Sequence, residues 1–150
     1  MSSRYVFRSQ WHLTAPPDAV YDVLRDVAGY PDWWPQVRSA RLIDDGAGEL
    51  CCRSLLPYDL TFTISRDIED VAARVLQARL AGDLDGTSRW TITADGSGCV
   101  ATFDEDIEVH KGLVRRSGLI ARPLLRFNHD LMMREGERGL RRHLQRAGRP

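Results

Sequence analysis

Leu60-Thr61-Phe62-Thr63-Ile64-Ser65-Arg66-Asp67-Ile68 alternates apolar with polar residues, the period of a strand with one face buried and the other wet. The pattern continues on both sides. From Val37 to Val109 six such strands fit, parted by the turn signals Asp45-Gly46-Ala47-Gly48, Pro57-Tyr58-Asp59, Glu69-Asp70, Gly82-Asp83 and Ala94-Asp95-Gly96-Ser97-Gly98. That spacing predicts an antiparallel meander. Upstream, Tyr5, Phe7, Trp11 and Leu13 share odd positions with Arg8, Gln10 and His12 between them, which adds a first strand. Ala15-Pro16-Pro17-Asp18 then opens a helix, proline being tolerated in a first turn, and Val20, Val23, Leu24 and Val27 carry it to a stop at Gly29. Tyr30-Pro31-Asp32-Trp33-Trp34-Pro35 is bracketed by prolines and has room for one helical turn closing an end of the core. Beyond Gly118 the period changes. Leu124, Leu125, Phe127, Leu131, Met132, Leu140 and Leu144 recur at helical spacing, with Pro123 near the start and Gly148-Arg149-Pro150 as a frayed end.

Seven antiparallel strands and one long terminal helix predict an α+β fold, a sheet curved around that helix, as one domain over residues 1–150. A curved sheet need not fill its concave side, so an apolar cavity of ligand size is expected. The composition fits a soluble globular chain: 150 residues, 43% hydrophobic and 28% charged. No apolar run is long enough for stable membrane insertion, and Arg4, Arg8, Gln10 and His12 occupy the place of a signal peptide's apolar stretch. A cytoplasmic location is the expectation.

Net charge is zero but unevenly spread. Residues 111–150 hold eleven Lys/Arg, among them Lys111, Arg115 and Arg116, against Asp130, Glu135 and Glu137. This excess fits a helix with a solvated arginine face on an acidic sheet, or else an interaction module docking an acidic protein or membrane. Nucleic acid is not expected, because no aromatic stacking platform accompanies the arginines. Cys51 and Cys52 are neighbours and Cys99 stands apart, so all three read as reduced strand residues. The histidines are scattered, and neither a metal site nor a cofactor is expected.

Trp11-x-Leu13-x-Ala15-Pro16, Val20-Tyr21-Asp22-Val23-Leu24 and Tyr30-Pro31-x-Trp33-Trp34-Pro35-x-Val37 resemble the opening of the START-like helix-grip (SRPBCC) superfamily. Gly82-Asp83-Leu84-x-Gly86 with Arg89-Trp90, and Asn128-His129-Asp130-x-Met132-Met133 with Gly136 and Gly139-Leu140, are similar to its uncharacterised bacterial members of polyketide cyclase/dehydrase type. The resemblance implies binding of a small hydrophobic molecule, lipid- or polyketide-like, with polyketide aromatase/cyclase or dehydrase activity as the alternative. Aromatase/cyclases place a cavity arginine on the strand corresponding to 60–69. Arg66 is the candidate there, although an ungapped comparison sets Asp67 at that position. A quinone-binding branch is similar over Asp26-Val27-x-x-Tyr30-Pro31 and the Gly82…Trp90 region.

Residues that break the apolar pattern mark the candidate site. Arg66 is in phase with Leu60, Phe62, Ile64 and Ile68, and Glu105 is in phase with Ala101, Phe103, Ile107 and Val109. A coupled Arg66–Glu105 pair inside the cavity is the expectation, since isolated buried charges are too costly to persist. His129 lies three residues before Met132 and four after Leu125, so it looks toward the sheet. His129 and Arg66 are the candidate catalytic residues; Phe62, Ile64, Arg66, Trp90, Phe103, Glu105, His129 and Met132 are the candidate ligand contacts. Asn128 is expected to face elsewhere. Gly136 and Gly139, unfavourable inside a helix, mark either close approach to the sheet or room for ligand.

Overall fold

A computed structural model describes residues 3–53, 59–110 and 122–147. Its elements are β1 (Ser3–Leu13), α1 (Pro17–Arg25), a 3₁₀ turn (Val27–Asp32), β2 (Val37–Asp44), β3 (Ala47–Cys52), β4 (Leu60–Asp70), β5 (Val75–Gly82), β6 (Leu84–Asp95), β7 (Gly98–Val109) and α2 (Arg122–Ala147). The seven strands form one antiparallel sheet in the order β1-β7-β6-β5-β4-β3-β2. The expected strands and the long terminal helix are therefore present. Pro57, Tyr58, Lys111, Arg115, Arg116, Gly118 and the Gly148–Pro150 end lie outside the described residues, as do the side chains of Pro123 and Leu124.

The period of two sorts the side chains. Tyr5, Phe7, Trp11, Leu50, Phe62, Leu80, Trp90, Phe103 and Ile107 are buried on the concave face. On the convex face Arg4 forks onto Asp106, at 2.8 and 2.6 Å, and Arg8 reaches Asp104. Strand β1 is an edge that pairs only with β7, and these cross-strand ion pairs sit where both chains meet solvent. The α2 arginines are divided: Arg141 donates to the His12 carbonyl and sits beside Glu137, and Arg138 sits beside Glu135. Arg134, Arg142 and Arg146 are exposed.

Helix α1 ends earlier than Gly29. Asp26 leaves helical conformation (φ −83°, ψ 79°), and Gly29 falls inside the following 3₁₀ turn, where its N–H bonds to the Asp26 carbonyl. The Trp33 and Trp34 amides both return to the Tyr30 carbonyl, so the aromatic segment folds back over the core. Trp11, Tyr30, Trp33 and Trp34 pack edge-on and offset there, with centroids 5.0–6.2 Å apart.

Two phase readings are corrected. A bulge between Arg66 and Ile68 sets Ile68 opposite Gln77 and Glu69 opposite Leu76; one extra residue exchanges the faces of all that follows. Ile68 is accordingly exposed. In α2, Phe127 falls off the apolar face and is exposed, while Asn128 is buried, since it shares its face with Met132 and Gly136.

Candidate functional site

The concave face, α1, the 3₁₀ turn and α2 leave a cavity of about 540 Å³. A smaller chamber of about 100 Å³ adjoins it beneath α2. Of the sequence-predicted residues, Phe62, Ile64, Arg66, Trp90, Phe103, Glu105 and Met132 line the larger cavity, and His129 lines the smaller. Phe62, Phe103, Glu105 and Met132 border both, so Glu105 stands at the junction. Strand period placed Phe62, Ile64, Arg66, Phe103 and Glu105. The i, i+3 spacing of Met132 and His129 placed those two on one helix face.

Arg66 and Glu105 do not pair. The bulge brings Glu69 onto the face of Arg66, with Ile68 part exposed at the cavity rim, and the Arg66 Nε lies 2.6 Å from Glu69 Oε2. Arg25, in the last turn of α1, contacts the other oxygen of Glu69. The Glu69 side chain is 14% exposed and the two guanidiniums about half exposed. One carboxylate thus bridges α1 to the β4 bulge at the cavity mouth. The period of β4 hid this, because the bulge has no residue signature in Arg66-Asp67-Ile68.

Glu105 instead meets His129, whose Nε2 lies 3.3 Å from Glu105 Oε1, with side chains 13% and 11% exposed. The imidazole lies nearly parallel to the Phe7 ring at 3.8 Å between centroids. His129 Nδ1 is buried with no hydrogen-bond partner. A proton there would be a buried donor without an acceptor, so Nε2 is the nitrogen placed to donate toward Glu105.

Strand and turn residues complete the walls. Tyr30 and Trp34 line the larger cavity; the Tyr30 hydroxyl donates to the Leu24 carbonyl at 2.6 Å, and burial holds it well above the ordinary phenol range. Ser88, directly opposite Glu105 on β6, is buried and lines the cavity too; its phase with Leu84 and Trp90 was the available signal. Cys52 borders both chambers, and burial pushes its thiol up to about 12. Gly136 and Gly139 mark close approach. A Cβ on Gly136 would stand 2.6 Å from Trp34, and one on Gly139 would strike the Trp33 carbonyl. Among the described residues no three His, Cys, Asp or Glu side chains gather as a metal site.

The sequence model of a family described as polyketide cyclase/dehydrase and lipid transport matches residues 5–145. The chain belongs to this family. No curated protein matches it in sequence. Among solved structures it is similar to a Thermus thermophilus protein (TM-score 0.80, 16% identity, 97% of this chain and 100% of that one). It is also similar to the Zhui aromatase/cyclase from a Streptomyces species (TM-score 0.77, 20% identity, 98% and 97%). A START superfamily protein from Mycobacterium smegmatis aligns with TM-score 0.76 at 13% identity, over 95% and 98%. At these identities the likeness is one of fold, and in this family fold alone does not decide between carrier and enzyme. The chemistry available to this member comes from its own side chains: apolar walls, a His–carboxylate pair at the inner junction and an arginine–carboxylate bridge at the mouth. Among the described residues no helix is long and apolar enough to cross a membrane.

Proposed function

We propose that the protein binds a small hydrophobic molecule, lipid- or polyketide-like, inside the curved sheet. The observation that carries this reading is the cavity of about 540 Å³ walled by Trp34, Phe62, Trp90, Phe103, Leu50 and Leu80. Apolar surface facing a void lacks dispersion partners. An apolar ligand supplies them and removes its own surface from water at about 25 cal/mol per Å². The test is denaturing extraction of the purified protein followed by mass spectrometry, with titration of a neutral apolar fluorophore in parallel. Saturable binding that is lost when Ala78→Trp or Leu80→Trp fills the cavity is the expected result. A folded protein that binds no apolar probe would end the reading.

A second reading, cyclase or dehydrase chemistry, draws on the His129–Glu105 pair. Ring closure or loss of water on a polyketone requires a proton to be taken from carbon and delivered to oxygen, and an imidazole backed by a carboxylate is suited to both. A cavity that holds the chain folded supplies proximity. Incubation with aromatic-forming polyketone intermediates tests it. Acceleration over the spontaneous rate should fall about 10²- to 10⁴-fold in His129→Ala with ligand affinity retained. Equal rates with and without protein would leave a carrier.

A further inference from the structure

The cavity has the wrong charge for a fatty acid. Its rim carries Asp22, Asp26, Asp44 and Asp45, and among the described residues none of these has an ion-pair partner. The arginines of the lining are already engaged: Arg25 and Arg66 both hold Glu69, and Arg41 faces Glu49 at 3.4 Å. Inside, Glu105 is an inward carboxylate among aromatic walls. Within the described residues its sole ion-pair contact is His129. A carboxylate in such surroundings is stabilised by a cation with N–H groups to donate. Trp34, Trp90 and Phe103 line the same space, and an aromatic face turned to that cation would favour it further.

We propose, resting on the hydrophobic-ligand reading, that the cavity selects a hydrophobic amine, bound as its ammonium. Glu105 would accept from the ammonium at the junction of the two chambers, and the apolar body would lie against the aromatic walls. The rim aspartates raise the local concentration of cations and repel anionic amphiphiles, an effect that weakens with salt. The contact with Glu105, being sheltered, persists.

Naphthylethylamine, naphthylethanol and naphthylacetate share one apolar body and differ in head-group charge. Calorimetric titration of the full chain with all three should rank the amine about tenfold or more above the alcohol, with the carboxylate weakest. In Glu105→Gln the amine should fall to the level of the alcohol while alcohol affinity is kept, thermal melting having established that the variant folds. If that variant unfolds, the ranking on the parent protein decides. Equal affinities, a preferred carboxylate, or an amine preference that survives in Glu105→Gln would overturn the proposal while leaving the hydrophobic-ligand reading standing. Failure of all three to bind would remove both.

Discussion

The indole nitrogen of Trp34 donates to the backbone carbonyl of Met132 at 2.9 Å, tying the turn before β2 to the helix that covers the cavity. Both residues line the cavity, so this bond sets the distance between wall and roof. Trp34→Phe keeps an aromatic ring and deletes the donor. A net loss of about 1 kcal/mol for the bond, with a further 1 to 2 for lost packing, gives an expected destabilisation of roughly 2 to 3 kcal/mol in urea unfolding. A change of only about 1 kcal/mol would mean that packing alone holds turn and helix, and one below about 0.5 kcal/mol that neither contribution counts.

Gly139 offers a test of sign. Alanine is worth about 1 kcal/mol over glycine in an open helix interior, so helix propensity alone predicts that Gly139→Ala stabilises. The Cβ would strike the Trp33 carbonyl, and overpacking of that kind typically costs about 1 to 3 kcal/mol. Backbone is the obstacle, so the second effect should win and the variant should unfold at lower urea. Gly46→Ala is the control. Its Cβ would meet nothing nearer than 3.9 Å, and its change should stay within about 0.5 kcal/mol.

The charged pairs separate by double-mutant cycles. Arg66 and Glu69 should show coupling, kept below about 1 kcal/mol because the arginine is half exposed. Removing Glu69 should cost more than removing Arg66, since it leaves Arg25 and Arg66 facing each other without the carboxylate between them. Arg66 and Glu105 should be additive. Coupling between those two would restore the pairing that period-two phasing predicts and contradict the bulged register.

How much of this was legible in the sequence follows from which features carry a local signal. Alternation in Leu60–Ile64 and in Ala101–Val109 placed Phe62, Ile64, Phe103 and Glu105 on one face, and the structure brings them to one cavity. The same rule failed after Arg66, because a bulge shifts the phase without altering composition; the Arg25–Glu69–Arg66 bridge was invisible for that reason, and Arg25 comes from an element 44 residues before Glu69 in the chain. Gly136 and Gly139 announced close contact, but only the fold shows that the neighbours are Trp33 and Trp34 rather than ligand space. His129 was placed on the correct helix face by spacing. Glu105 was paired with Arg66 rather than with His129 because pairing depends on the distance between strands and helix, which periodicity does not contain.

Cys52 supplies a pH dependence with a defined sign. Burial, first, and then the neighbouring Cys51 and Glu105 raise its thiol from 9.0 to about 12. An unfolded chain therefore releases this proton as pH passes about 9, while the native state keeps it until about 12. In that window the unfolded state binds fewer protons, so stability falls as pH rises, by about 1.4 kcal/mol per pH unit for one group. Below about 9 both states hold the proton and Cys52 contributes no slope. Burial raises Tyr30 and Cys99 in the same direction, so the parent protein should lose stability steeply on the alkaline side. Cys52→Ala removes one of these contributions. Urea unfolding at a series of pH values from about 8 to 11 should therefore give a shallower alkaline slope for the variant, the difference approaching 1.4 kcal/mol per unit. Coincident slopes would show that the thiol ionises alike in both states and that water reaches Cys52 in the cavity wall.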